Sequence, residues 1–442
     1  MKHTLLTGIV FVFTVSSFAQ RQLTYEEAVT IALQKNVDFN VQHNEVDRAG
    51  YMKAQSISQL TPSLRVEADA FNRRGRQQIQ NPETNQVEFL DVISDNLNMS
   101  INASMPVFNG MNRINRYRAS QSNLEAQEFG LERTKQNTIF NVAQQYLQVL
   151  LSEELYRIAE DNHRNQSENL KRIEGLVEVG SLAVVDKYNQ LAEVKRLELL
   201  TIRARNTFEN DKLVLAQTLQ LEPGTDFVLT KPKFSIEETL QLQINIDDLY
   251  QTALANRPDY NQQKSVVLSN SRLVSSLRGS YLPGISAFYI YGSSYNSQIP
   301  YSQSDQLTTV NPYHFYGFSF TVPIFAGLAT RTQVQSAKID RENSLLQENN
   351  LKTIIYRDVK TAYQNFQDMK AGYVSSMAQF DAANAAYNLE KERYELGLSA
   401  FFEFSTANNN LIQAQAARAQ SGYMLMFQET ILNYQIGLLK QE

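Results

Sequence analysis

The stretch that decides the fold is LNMSINASMPVF, from Leu97 to Phe108. Its odd-numbered positions from 97 to 107 are all apolar, and its even-numbered positions from 98 to 104 are all asparagine or serine. Because successive side chains of a strand point to opposite faces, this alternation predicts a strand with one apolar and one polar face. The same pattern returns in HFYGFSFTVPIF, from His314 to Phe325. Each strand ends in a Pro-x-Phe-x-Gly sequence, after which the pattern becomes helical.

The N-terminus has the parts of a secretory signal peptide. Lys2 supplies a positive charge, an apolar run follows, and Ala19 precedes the expected cleavage point. We therefore expect residues 1–19 to be removed and the mature protein to leave the cytoplasm. The chain contains no cysteine, so we expect neither disulfides nor a lipid anchor after the signal.

Composition and motifs argue against several functions. The formal net charge of -5 gives no support for binding to nucleic acid. The 4 histidines are scattered without the spacing of metal ligands. The sequence contains neither a Gly-rich phosphate loop nor a Gly-x-Ser-x-Gly turn. We expect no enzyme activity, no cofactor and no metal site.

Short sequence echoes indicate that the chain is a duplication. ALQKN at residues 32–36 is echoed by ALANR at residues 253–257. VGSLAVVDKYNQL at residues 179–191 is echoed by LGLSAFFEFSTAN at residues 396–408. Echoes in the same order along both halves predict two structural repeats of equal plan.

We place the first repeat at residues 20–221 and the second at residues 246–442. Between them, residues 222–245 form a linker that contains turn-forming proline and glycine. Each repeat is predicted to contain a short helix, a strand pair and two long helices. The strand pairs are expected at about residues 62–108 and about residues 283–325.

The helical stretches are long. No proline interrupts Met111 to about Glu178 or Leu328 to about Glu395, and each would be roughly 100 Å long if it were one helix. Apolar residues from Ile355 to Phe380 step by four and three, which is the spacing of a coiled coil. Gly180 and Gly397 should end these helices, and a return helix follows each glycine.

Two further segments complete the predicted repeats. Polar, turn-rich sequence at Asn72–Ser94 and Ser293–Asn311 predicts a long loop within each strand pair.

The first short helix is predicted over Thr24–Ser58. Thr24 and Glu27 have the spacing of a capping box at its start.

The polar face of the strands is too charged for a dry core. If the opposite face meets lipid, four strands cannot close a barrel, because the smallest barrels have about eight. A dimer would give eight strands around a filled lumen, whereas a trimer would give twelve strands around water, which suits charged side chains better. The register after Pro283 stays open. The residues assigned to the lumen are Arg65, Glu67, Asp69, Asn98, Ser100, Asn102, Ser104, Ser319 and Thr321.

The signal peptide, the repeated order of elements and the PVFNG and PIFAG junctions resemble the TolC family of outer-membrane efflux proteins. The resemblance covers about the whole mature chain. It implies a mainly α homotrimer with a transmembrane β-barrel portion: a twelve-stranded barrel in the outer membrane of a Gram-negative bacterium, continuing into a long α-helical barrel across the periplasm. It also implies that a periplasmic adaptor (membrane fusion) protein and an inner-membrane pump join it in a tripartite efflux or type I secretion system. The chain itself would be a passive duct.

The resemblance also implies functional residues at the two helix tips. Three copies of Glu403 around one axis would form an acidic ring that attracts cations. The family pattern has an arginine where this chain has Ser399 and a second acidic residue where it has Thr406, so we expect softer contacts to hold the gate. The implied entrance and gate residues are Glu403, Asp186, Tyr394, Thr406 and Ser399. The implied adaptor-docking residues are Gly180, Ser181, Gly397 and Leu398.

The main alternative is a secreted, non-conducting coiled-coil scaffold or adhesin. Long helices and polar loops suit that function, but it leaves the four alternating strands unexplained. A periplasmic binding protein would need an alternation of strands and short helices that this chain lacks. The sequence does not indicate the cargo, so drugs, metal ions and secreted polypeptides all stay open.

Overall fold

The structure, a computed structural model, describes residues 21–80, 85–231, 236–241 and 245–439. The predicted signal peptide, residues 1–19, lies outside the described residues. Among the helices of the described ranges, none combines the length and the apolar character that a membrane span requires.

The elements follow one another in the predicted order, with a 67-residue helix and then a 35-residue helix after each strand pair. In chain order they are β1 Arg21–Leu23, α1 Tyr25–Lys35, α2 Val37–Ser58, β2 Ser63–Gln80, β3 Val87–Asn109, α3 Asn112–Glu178, α4 Val184–Thr218, β4 Phe227–Leu229, α5 Ile236–Gln241, α6 Ile246–Asn256, α7 Pro258–Gly279, β5 Gly284–Asn296, α8 Gln303–Asp305, a π-helical turn Gln306–Val310, β6 Tyr313–Thr321, α9 Ala329–Glu395 and α10 Phe401–Gln435.

The short helix predicted in each repeat is two helices. In the first repeat the break falls at Asn36, whose backbone is extended and whose side chain accepts a hydrogen bond from the Phe39 amide at 2.9 Å. In the second it falls at Arg257, because a residue before proline avoids helical geometry. The capping box between Thr24 and Glu27 is confirmed, with both hydrogen bonds at 3.2 Å.

The four long strands form one antiparallel sheet in the order β2-β3-β5-β6. The predicted loop at Asn72–Ser94 was wrong over most of its length. β2 and β3 stay paired from Ser63 opposite Ser104 to Gln80 opposite Val87. On β2, Asn72–Arg76 carry no apolar side chain on either face, so no alternation of apolar and polar residues marks this outer part as a strand.

The described chain divides into two compact units. The sheet unit comprises Val41–Arg133 and Leu254–Tyr356, and so contains the four-stranded sheet. The helical unit comprises the described residues of Met1–Asn40, Thr134–Ala253 and Arg357–Glu442, and so contains both predicted helix tips.

One buried tyrosine organises the core of the helical unit. Tyr146 on α3 is fully buried, and its hydroxyl lies 2.9 Å from the Leu23 carbonyl oxygen and 2.6 Å from that of Thr230. These carbonyls lie at the ends of β1 and β4, which pair in parallel. Tyr146 therefore ties the start of the described chain to the linker between the repeats.

Candidate functional site

The first hairpin gathers the predicted lumen residues on one face of the sheet. Arg65 lies opposite Asn102 and Glu67 lies opposite Ser100. Arg65 donates to Glu67 at 3.3 Å, and the Asn102 amide donates to the same carboxylate at 3.1 Å. We call this side the polar face. Its remaining predicted members are Asp69 opposite Asn98, Ser104 opposite Ser63, Ser319 opposite Ser286 and Thr321 opposite Gly284.

The second hairpin makes the same face aromatic, which the sequence reasoning missed. Ile290 continues the row of Asn102, and Phe315 lies opposite Ile290. Phe288 continues the row of Ser104, and its ring centroid lies 5.3 Å from that of Phe315. The even positions of β5 would have shown this, had the register after Pro283 been fixed. One hairpin of the face is therefore charged and hydrogen-bonded, and the other carries aromatic rings in tilted contact.

The opposite side of the sheet, which we call the apolar face, is exposed. The register places Val66, Ile101 and Tyr291 in one row across three strands. On β6, Tyr316 is 75% exposed and Phe318 is 73% exposed. Soluble monomers rarely expose a contiguous apolar surface of this kind, so this face requires a covering partner or lipid.

Both predicted helix tips end in the same backbone motif. At the first tip, the Gly180 amide donates to Val177 O at 3.0 Å and the Ser181 amide donates to Leu176 O at 2.8 Å. At the second, the amides of Gly397 and Leu398 make the equivalent bonds, at 3.0 and 2.8 Å. This is the Schellman motif, which needs a left-handed residue. Gly180 has φ +76° and Gly397 has φ +71°. Glycine is therefore favoured by the backbone conformation, since a Cβ atom at either position would meet no neighbouring atom within 4 Å.

Tyr394 belongs to a small core at the second tip. It is 8% exposed and packs with Ile173 of α3 and Phe404 of α10. Its ring stacks on that of Phe404, with centroids 5.1 Å apart and planes 10° apart. Its hydroxyl has no hydrogen-bond partner among the described residues. Burial raises the pKa of Tyr394, and the charge of Asp186 raises that pKa further.

Glu403 is exposed in the first turn of α10 and is bound by its own chain. Its carboxylate accepts from the Ser399 hydroxyl at 3.0 Å and from the Ala400 amide at 3.4 Å. Ser399 Oγ also lies 2.8 Å from the carboxylate of Glu390, which forms a 2.6 Å ion pair with Arg393. The sequence reasoning missed Glu390 and Arg393, although their spacing of three on a helix is a signal for an ion pair.

The other predicted gate residues lie nearby with different roles in the chain. Asp186 is half-buried in the first turn of α4. Thr406 is exposed, and its hydroxyl donates to the Phe402 carbonyl of the same helix at 2.8 Å. An ion pair not predicted from the sequence joins Arg172 of α3 to Glu395 of α9 at 2.5 Å. The two tips are thus linked by charge as well as by the aromatic core.

The comparisons with known proteins agree with this architecture. The outer membrane efflux protein family matches residues 28–219 and 249–427. The pyoverdine export outer membrane protein OpmQ of Pseudomonas aeruginosa is 24% identical over 332 residues, which cover 74% of this chain and 66% of that relative.

Two solved structures show the same fold. The CmeC outer membrane channel of Campylobacter jejuni has a TM-score of 0.77 and 19% identity over 94% of this chain and 86% of its own. The outer membrane protein VceC of Vibrio cholerae has a TM-score of 0.80 and 14% identity over 93% of this chain and 96% of its own.

The fold and the family match together define a class of outer-membrane channel proteins. The chain belongs to the outer membrane efflux protein family. The predicted family, the mainly α fold and the outer-membrane location are confirmed. This family is one of outer-membrane transport proteins and not of enzymes. The roles of the lumen, gate and docking residues stay predictions.

Proposed function

We propose that three copies of this chain form a passive duct for export through the outer membrane. Each copy contributes its four-stranded sheet to a twelve-stranded barrel, with the apolar face towards lipid and the polar face towards a water-filled lumen. A periplasmic adaptor docks at the helix tips and delivers cargo from an inner-membrane pump. The observation that carries the proposal is the sheet itself, which has one exposed apolar face and an opposite face that is charged in the first hairpin.

The edges of the sheet support a closed assembly. In the described structure β2 and β6 each pair along one side only, which leaves a row of unpaired backbone groups on each strand. The strands alternate in direction, so β6 of one copy can pair antiparallel with β2 of the next. Closure removes all edges, and twelve strands leave space for water. A non-conducting scaffold would leave both the edges and the apolar face unexplained.

Disulfide crosslinking tests this assembly directly, because the natural chain contains no cysteine. Val66→Cys on β2 would be combined in turn with Tyr316→Cys, Phe318→Cys and Phe320→Cys on β6. All four positions are exposed on the apolar face. One combination should give covalent dimers and trimers in membranes, and no larger species, because a ring of three closes.

The matched control combines Val66→Cys with Tyr289→Cys. Tyr289 lies on the same face but on the inner strand β5, which is paired on both sides. This combination should give no intermolecular product. A ladder that continues beyond the trimer, or products from the control alone, would contradict the closed barrel.

Conductance tests the proposed entrance. The purified protein in a planar bilayer should give discrete openings that prefer cations, and Glu403→Gln should reduce that preference because it removes three charges near one axis. Glu209→Gln is the control, since Glu209 is exposed on α4 outside the tips. If Glu403→Gln gives openings with unchanged selectivity, the chain is a duct but Glu403 does not line its entrance.

A further inference from the structure

A cleft of about 800 Å³ opens in the helical unit between α3, α9 and α10. Its size is that of a small-molecule site. One wall is apolar and consists of the side chains of Tyr373, Met377, Phe380 and Met426. None of the predicted lumen, gate or docking residues contributes to the cleft.

Among the described residues that line the cleft, the two carboxylates are already paired with arginine. Arg157 lies between them, 2.5 Å from Glu154 and 3.3 Å from Asp161, and Arg164 contacts Asp161 at 2.5 Å. The hydrogen bond from Arg157 lowers the pKa of Glu154, so this carboxylate stays ionised within its pair. These groups therefore leave little free negative charge to repel an anion.

Two cations of the cleft have weaker compensation. The guanidinium of Arg418 lies 3.8 Å from the centroid of the Phe380 ring. Within the described ranges, no carboxylate comes within 4.0 Å of Arg418. Lys231 reaches only Glu154, at 3.9 Å, and Arg157 already pairs with that carboxylate. The described lining residues of the cleft thus carry an excess of positive charge beside an aromatic wall.

We propose that this cleft binds a small amphipathic organic anion, such as an aromatic carboxylate or sulfonate. The contact with the Phe380 ring restrains the Arg418 guanidinium, and the N–H groups of that guanidinium can donate to a planar or tetrahedral anion. The apolar body of the ligand lies against Tyr373 and Met377. The proposal does not depend on the duct, since every residue involved belongs to the helical unit.

Two probes with the same rings separate charge from hydrophobic contact. 1-Anilinonaphthalene-8-sulfonate is an anion, and N-phenyl-1-naphthylamine is its neutral analogue without the sulfonate. Calorimetric titration of the intact protein in non-ionic detergent, corrected by a detergent blank, should show one site per chain. The anion should bind roughly tenfold more tightly than the neutral probe, the difference expected for one charge-assisted contact.

Substitutions then assign the contact. Arg418→Gln should reduce the affinity for the anion to that of the neutral probe, and Arg418→Lys should retain part of the difference. Met377→Asp should reduce the affinity for both probes because it places a charge in the apolar wall. Arg357→Gln is the control, since Arg357 is exposed in the same unit and pairs with Asp358.

The outcomes are distinct. No saturable binding of the anion to the wild type overturns the proposal, as does equal affinity of the wild type and Arg418→Gln for the anion. Circular dichroism and gel filtration of each variant report whether it is folded. If Arg418→Gln does not fold, Arg418→Lys and Met377→Asp still decide between a charge-selective site and a non-specific apolar surface.

Discussion

Tyr394 allows a sharp test of whether its hydroxyl or its ring matters at the second tip. The hydroxyl is buried without a partner among the described residues, and the ring stacks on Phe404 and contacts Phe401 edge-on at 6.2 Å. Leaving a buried hydroxyl unpaired costs about 1–3 kcal/mol. Tyr394→Phe should therefore leave the tip as stable as before, or stabilise it by up to that amount. Tyr394→Ala should destabilise it by about 3–5 kcal/mol, because a large buried ring is lost.

Hydrogen exchange of the tip amides, followed by mass spectrometry, measures this local stability without complete unfolding. A change of about 1.4 kcal/mol alters the exchange rate tenfold, so the tip amides of Tyr394→Ala should exchange faster by a factor of roughly 150 to 4,000. Amides of the sheet unit provide the internal control. Faster exchange in Tyr394→Phe would show that the hydroxyl makes a stabilising bond, for example to another copy, and would refute the packing account.

Three further predictions concern the helical unit. Gly397→Val should destabilise the second tip by about 1–2 kcal/mol, and Gly397→Asn by less, because asparagine tolerates the left-handed backbone; tip exchange rates measure both. Burial raises the pKa of Tyr146 to about 12 from 10.0. The free energy of unfolding should therefore be constant below pH 10 and fall by about 2.7 kcal/mol towards pH 12. Tyr146→Phe should remove this fall in an alkaline denaturation series. Arg172 lowers the pKa of Glu395 through a hydrogen bond. The stabilisation of the tips by this pair is therefore complete above the ordinary glutamate pKa and is lost as the pH falls through the lowered pKa. Arg172→Gln should abolish this acid dependence of tip exchange. If Tyr146→Phe or Arg172→Gln kept the pH profile of the wild type, the cause assigned to that pH dependence would be contradicted.

The strands of the sheet show how far sequence alone reaches. Alternation located β3 and β6 because the apolar positions at 97–105 and 316–320 face one side without exception. It failed for the outer hairpin, where Asn72–Arg76 on β2 are polar on both faces. That region is a strand because it pairs with β3, and a pairing between residues distant in the sequence cannot be read from local alternation. The faces of β5 stayed open for a related reason, since apolar side chains lie on both of them and only the register distinguishes them.

The helices were more predictable than their contacts. Glycines 180 and 397 ended both long helices as expected, because a Schellman motif requires a left-handed residue at a fixed place. The burial of Tyr394 could not be read from the sequence. It depends on Ile173, which lies far away in the chain and is brought to the tip only by tertiary packing. Local backbone rules are visible in a sequence, whereas partners from the other repeat are not.

The second tip also shows how this chain stabilises the charge of Glu403 with a serine at position 399. One hydroxyl carries one proton, so Ser399 can donate to only one of its two neighbouring carboxylates at a time. Arg393 already compensates Glu390, which leaves the Ser399 proton for Glu403. The Ala400 amide and the N-terminus of α10 add further positive potential at that carboxylate. The charge of Glu403 is therefore stabilised by neutral donors of its own chain.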